Sequence, residues 1–228
     1  MSLILSIETA TKVCSVALLE KDRIIASQEL YVERSHSEFL AVMIQDLLKY
    51  TGKSADDLSA IAVSKGPGSY TGLRIGVSTA KGLCFGLDIP LIAVNSLLAM
   101  AHEVTGRTIG KFDLCPMLDA RRMEVYCMIT DHNLEIKQET EARIIDESSF
   151  ADELKTTSII FFGNGMNKCR GVLSRHENAY FIDDVHPRAA SIGHLAFKKY
   201  QKKELENTET FEPFYLKDFI ATVPKKLI

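Results

Sequence analysis

The chain has 228 residues, 46% of them hydrophobic and 25% charged, with a net charge of −3. That balance excludes a disordered or collagen-like chain and leaves material for a sizeable core. It also excludes grip on nucleic acid by overall charge, although basic pairs stand at Arg121-Arg122, Lys198-Lys199, Lys202-Lys203 and Lys225-Lys226.

Cys14, Cys84, Cys115, Cys127 and Cys169 are odd in number and lack metal-knuckle spacing, which points to a reducing compartment. The opening Met1–Ser6 enters strand pattern without a basic leader, and no apolar run approaches membrane-spanning length. The expectation is a cytoplasmic, soluble protein with no membrane partner.

Leu3–Thr9, Val13–Leu19 and Arg23–Val32 read as a three-strand meander. Helical spacing of Phe39, Leu40, Met43, Ile44, Leu47 and Leu48 predicts a helix from Ser35 to Tyr50, with Ser35 and Glu38 as a capping box. A strand over Ala60–Ser64 runs into Gly66-Pro67-Gly68-Ser69-Tyr70-Thr71-Gly72-Leu73-Arg74-Ile75-Gly76, and a helical pattern over Val77–Phe85 follows. Strand Pro90–Val94 and helix Ser96–Val104 complete the first half.

Strand, glycine turn and helix in that order leave backbone N–H groups free at a helix start, where Ser69 or Thr71 can cap. Two readings follow. Gly66, Gly68, Gly72 and Gly76 let the helix pack closely, or the turn cradles an anion. Packing is preferred, because the turn lacks the Lys of a phosphate loop and misses dinucleotide spacing by one residue.

The second half repeats the first. Strands are predicted over Phe112–Leu118, Val125–Thr130 and Leu134–Ala142, then helix Glu147–Leu154, strand Ser158–Phe162, the turn Gly163-Asn164-Gly165, helix Met166–Leu173, strand Tyr180–Ile182 and helix Arg188–Lys203. Placing Glu8 on Asp119 and Val16 on Cys127 aligns the starts of the halves without a gap. The expectation is α/β, two duplicated lobes with mixed sheets flanked by helices, residues 1–106 and 107–228. This order resembles the actin-like, sugar-kinase-like ATPase (ASKHA) core. By that analogy Glu8 and Asp119 stand where acids handle metal and phosphate, a possible vestigial nucleotide site.

Several motifs together are more specific. They are Ile4–Thr11 with Cys14–Leu18, Ser35-His36-Ser37-Glu38, Gly66–Gly76, Ala80–Leu83, Asp119-Ala120-Arg121-Arg122-Met123-Glu124-Val125-Tyr126 and Pro213-Phe214-Tyr215-Leu216. From residue 3 to about 216 the chain resembles the TsaB (YeaZ) family. The resemblance implies a non-catalytic partner of TsaD in making threonylcarbamoyladenosine on tRNA, at the adenosine just 3′ of the anticodon, with the ATPase TsaE joining. It implies contact with tRNA only through the complex.

Chemistry of its own is not expected. TsaD-type proteins carry Val-Asn-His-x-x-x-His, whose histidines share a helix face and can hold one metal. Here the frame reads Val94-Asn95-Ser96-Leu97-Leu98-Ala99-Met100, and Lys12 replaces an acidic residue in the first turn. No His-Glu-x-x-His supports a zinc peptidase. The expectation is no catalytic residue, no metal and no cofactor, with nucleotide only in the assembled complex. A nucleotide-binding ATPase-like enzyme acting alone and a tRNA-binding module using Arg121-Arg122 and the lysine pairs are the alternatives.

If the surface carries the function, helices are its natural place. Tyr70, Arg74, Val77 and Lys81 form one stripe, and His36, Phe39 and Met43 a second. Both are expected to face TsaD, or a second copy in a homodimer.

Overall fold

The computed structural model describes residues 2–32, 35–106, 108 and 110–217, apart from the side chain of Ser35. The expected Ser35–Glu38 capping box and the pair Lys225-Lys226 fall outside that description.

β1 (Leu3–Glu8) is apolar almost throughout and buried along its whole length, the mark of a central strand covered on both faces. It pairs antiparallel with β2 (Cys14–Glu20), which pairs antiparallel with β3 (Arg23–Leu30). β4 (Ala60–Gly66) lies parallel to β1, and β5 (Leu91–Asn95) parallel to β4. The sheet order is β3-β2-β1-β4-β5. The second sheet repeats it as β10-β9-β6-β7-β8, from β6 (Asp113–Asp119), β7 (Glu124–Thr130), β8 (Ile136–Ile144), β9 (Ile159–Phe162) and β10 (Ala179–Ile182).

Side-chain alternation sorts the layers. Leu5 and Ile7 meet α1 (Ser35–Thr51) and α2 (Tyr70–Leu87), while Ile4 meets Ile192 and Ala196 on α6 (Ala189–Gln201). In the second sheet Cys115 and Met117 meet α4 (Ala151–Thr156) and α5 (Met166–Leu173). Leu114 and Leu118 face α3 (Ser96–Thr105).

Helix packing crosses the sequence boundary. α3 precedes it and packs between the two sheets, and α6 follows it but packs on the first. Gly193 gives the reason for α6: a Cβ there would stand 2.1 Å from Leu19 Cδ1. Ser6 Oγ donates to the Ala189 carbonyl at 2.7 Å, and the Ala189 N–H donates to Ser15 Oγ at 2.9 Å.

Three local expectations shift. α2 begins at Tyr70, so half of the glycine stretch is helix. α4 begins at Ala151 because the Asp146 carboxylate ties the Ser148 N–H and Ser149 hydroxyl into a turn, and Phe150 takes a left-handed φ of 62°. The halves also differ in register: Glu8 pairs with Ser15, but Asp119 pairs with Val125, one residue short of the matching position. Among the described residues no helix is long and apolar enough to cross a membrane.

Candidate functional site

β4 ends at Gly66 with φ +108°, a conformation open to glycine, and the chain turns into α2. Ser69 caps that helix by accepting the Gly72 N–H at 3.3 Å. The Ser69 N–H itself donates to the Ala10 carbonyl at 2.7 Å. A Cβ at Gly68 would stand 2.4 Å from the Ala10 carbonyl oxygen, at Gly72 2.1 Å from that of Thr9, and at Gly76 2.2 Å from Thr9 Oγ1. These glycines seat the start of α2 on the Thr9–Ala10 turn. An anion entering there would meet carbonyl oxygens, which repel it. Gly66 differs from the other three, since its close neighbour is the Phe214 carbonyl.

Glu8 lies fully buried beneath this seat. Its Oε1 accepts from the Ala10 N–H at 2.5 Å and the Ser64 hydroxyl at 3.0 Å. Burial pushes the carboxyl up to about 7, against the pull of those donors. Asp119 is exposed instead. Partial burial raises its carboxyl, but the Lys168 ammonium and the Arg121 N–H outweigh this and hold it below the usual range. Lys168 pairs with Asp119 and also donates to the Glu124 carbonyl at 2.6 Å. One acid is sealed into the core and the other is neutralised by its own lysine.

The Val94–Met100 frame is structural. Asn95 Oδ1 caps α3 by accepting the Leu97 and Leu98 N–H groups at 2.8 and 3.2 Å, and its amide donates to Thr140 Oγ1 of β8 at 2.9 Å. Ser96 and Met100 are fully buried, and Met100 packs within the interlobe core beside Leu118, Met128 and Phe162. A metal does not fit where a thioether already fills apolar space. Among the described residues no three His, Cys, Asp or Glu side chains are grouped to hold an ion. His102 stacks on His194 at 5.5 Å, and burial first, then His194 and Lys198, hold its imidazole below the ordinary value. All five cysteines are free and buried, with Cys14 and Cys84 pushed up to about 11 mainly by burial. They are not poised nucleophiles.

The expected partner stripes divide. Met43 and Val77 are core residues under α1 and α2 and cannot face a partner. His36 is also buried; its imidazole is held low by burial, against the raising effect of the Thr11 and Val13 backbones. Lys81 is half-buried and donates to the carbonyls of Glu209 and Phe211 at 3.1 and 3.0 Å. Tyr70 is partly covered by Tyr215, ring centroids 4.9 Å apart, and carries the Arg74 guanidinium on its face, also at 4.9 Å. Arg74 and Phe39 are exposed. The outward ridge of α2 runs instead through Arg74, Ser78, Gly82, Phe85 and Gly86, and Phe39 and Val42 project from neighbouring α1. Phe85 is 87% exposed, and a Cβ at Gly82 or Gly86 would meet nothing within 4 Å. Gly82 lies inside the helix, where glycine costs about 1 kcal/mol relative to alanine, and its missing side chain makes room for nothing within this chain.

The family model described as TsaD, tRNA N6-adenosine threonylcarbamoyltransferase, matches residues 23–225. The tRNA threonylcarbamoyladenosine biosynthesis protein TsaB of Escherichia coli K12 is 42% identical over 123 residues, 54% of this chain and 52% of that protein. The TsaB protein of Bacillus subtilis 168 is 44% identical over 125 residues, again 54% and 52%. A crystal structure from Pseudomonas aeruginosa, described as an uncharacterized protein with similarity to peptidase YEAZ, superposes with TM-score 0.82 at 27% identity, over 95% of this chain and 100% of that one. The chain belongs to the TsaD family, in its TsaB (YeaZ) branch. The match to the curated TsaB proteins spans about half of their length. Component A of the Acidaminococcus fermentans (R)-2-hydroxyglutaryl-CoA dehydratase shares the fold at TM-score 0.53 and 10% identity, over 90% of this chain and 100% of that one. It is in keeping with the ASKHA-like two-lobe architecture and carries nothing about chemistry. In this TsaB-branch chain Glu8 and the Val94–Met100 frame hold the fold together, and Asp119 is paired with Lys168.

Proposed function

We propose that the chain is a non-catalytic scaffold in the complex that forms N6-threonylcarbamoyladenosine on tRNAs reading codons that begin with A. It binds a TsaD protein, helps recruit TsaE, meets tRNA only through the assembly, and pairs with itself when alone. The names of its TsaB relatives and the match to the TsaD family model support the pathway.

The observation that carries the scaffold reading is the outward ridge of α2. Phe85 stands in solvent between Gly82 and Gly86, both with open space above them. Small residues allow a second helix axis to come close, and the exposed ring supplies an anchor. Burying Phe85 is worth about 2 kcal/mol. A chain of the same fold offers a matching helix pair, so TsaD and a second copy compete for one face.

Co-purification tests this. Phe85→Glu places a charge in the ridge without touching the core, and loss of TsaD from the complex is expected. Full retention of TsaD by the Phe85→Glu chain contradicts the assignment. Homodimer loss in the same variant, read by sedimentation, is the parallel expectation.

A further inference from the structure

After α6 the chain turns back across the molecule. The Glu206 N–H donates to the Leu91 carbonyl at 2.9 Å, covering the edge strand β5. Lys81 then grips the carbonyls of Glu209 and Phe211, and the Phe211 ring joins the first core. The Phe214 N–H donates to the Lys65 carbonyl at 2.7 Å, and Tyr215 lies against Tyr70. Lys217 finally reaches the second sheet, where it pairs with Glu124 at the start of β7.

Two residues are fitted to this path. Gly66 leaves room for the Phe214 carbonyl, since a Cβ there would stand 2.8 Å from the oxygen. Lys81 extends a long stem along the helix surface and spends two of its ammonium donors on main-chain carbonyls more than a hundred residues away.

We propose that residues 204–217 are a latch that fastens the glycine-turn end of the first lobe to the β6–β7 hairpin of the second. Its two ends are unequal. The first lobe holds it by four short hydrogen bonds, to the main-chain carbonyls of Leu91, Lys65, Glu209 and Phe211, and by the partly buried Phe211 ring. The second holds it by a partly exposed ion pair, which water and salt weaken. The latch therefore opens from Lys217 and stays hinged at Glu206. Opening uncovers Tyr70 and removes this tie between the lobes, leaving the core around α3 to join them.

Amide hydrogen exchange on the full chain tests this, comparing the parent with Lys81→Met and Lys217→Met. Lys81→Met is expected to speed exchange roughly fivefold at Phe214 and also across the lobe boundary at residues 121–126, the factor that about 1 kcal/mol of lost anchoring gives. Lys217→Met is expected to speed residues 121–126 and 213–216 while leaving Glu206 unchanged. A Lys81→Met effect confined to residues 208–212 overturns the latch. If Lys81→Met loosens both sheets uniformly, Lys217→Met decides, and unchanged exchange at 121–126 in that variant overturns it.

Discussion

Met100 Cε rests against Gly163 so closely that a Cβ at residue 163 would stand 2.5 Å from it. The contact joins α3 of the first half to the glycine turn of the second, in the frame where a TsaD-type protein carries its second histidine. A thioether in contact with glycine is packing, and Met100 belongs to the core shared by the two lobes.

Gly163→Ala drives a methyl to 2.4 Å from the Met117 carbonyl oxygen as well as against Met100, at a φ of +99°. It is expected to lower stability by about 3 kcal/mol. Urea denaturation of the parent and the variant reads the difference.

The glycines of α2 are expected to separate by function. Gly72→Ala drives a methyl into the Thr9 carbonyl at 2.1 Å and should cost about 3 kcal/mol or prevent folding. Gly82→Ala meets open space and should raise stability by about 0.5–1 kcal/mol. Thermal melts of both variants check the contrast, and equal losses would show that the ridge is packed internally.

Glu8 makes stability depend on pH with an unusual sign. Its carboxyl is raised in the folded state from 4.5 to about 7. The folded protein therefore holds a proton that the unfolded chain has released, and this contribution is full below pH 4.5 and is lost as pH rises through 7. The loss is on the order of 3 kcal/mol. Glu8→Gln keeps an acceptor for the Ala10 N–H and cannot ionise. It is expected to flatten the decline and to be more stable than the parent at pH 8. Denaturation curves at pH 5 and pH 8 measure both slopes.

Met43 and Phe39 came from one sequence stripe and belong to different environments. Met43→Ala empties a fully packed site and should cost about 3 kcal/mol, whereas Phe39→Ala should cost about 1 kcal/mol or less. Chemical denaturation of the two variants distinguishes core from surface.

The order of strands and helices could be read in the chain because β1, β4 and β6 are largely apolar and glycine turns mark the steps from β4 to α2 and from β9 to α5. The helix packing across the sequence boundary could not. α3 and α6 carry apolar faces that fit either sheet, and only close approaches such as Gly193 on Leu19 decide which one they meet. The partner stripe was misplaced for a related reason. Val77 and Arg74 lie within one turn of α2, and periodicity alone does not say which faces inward. Spacing alone places Lys81 on the partner stripe because its acceptors, the Glu209 and Phe211 carbonyls, lie in a distant segment with no regular structure. Gly82, Phe85 and Gly86 were visible as residue types, but their openness is a property of the packed molecule.

The α2 ridge is the surface on which the scaffold reading stands. Titration calorimetry of the full chain and its Phe85→Glu variant against a TsaD protein measures it most directly. The account predicts saturable binding by the parent and at least a tenfold weaker affinity for the variant, the equivalent of about 1.4 kcal/mol. Equal affinity in a folded Phe85→Glu chain would contradict it.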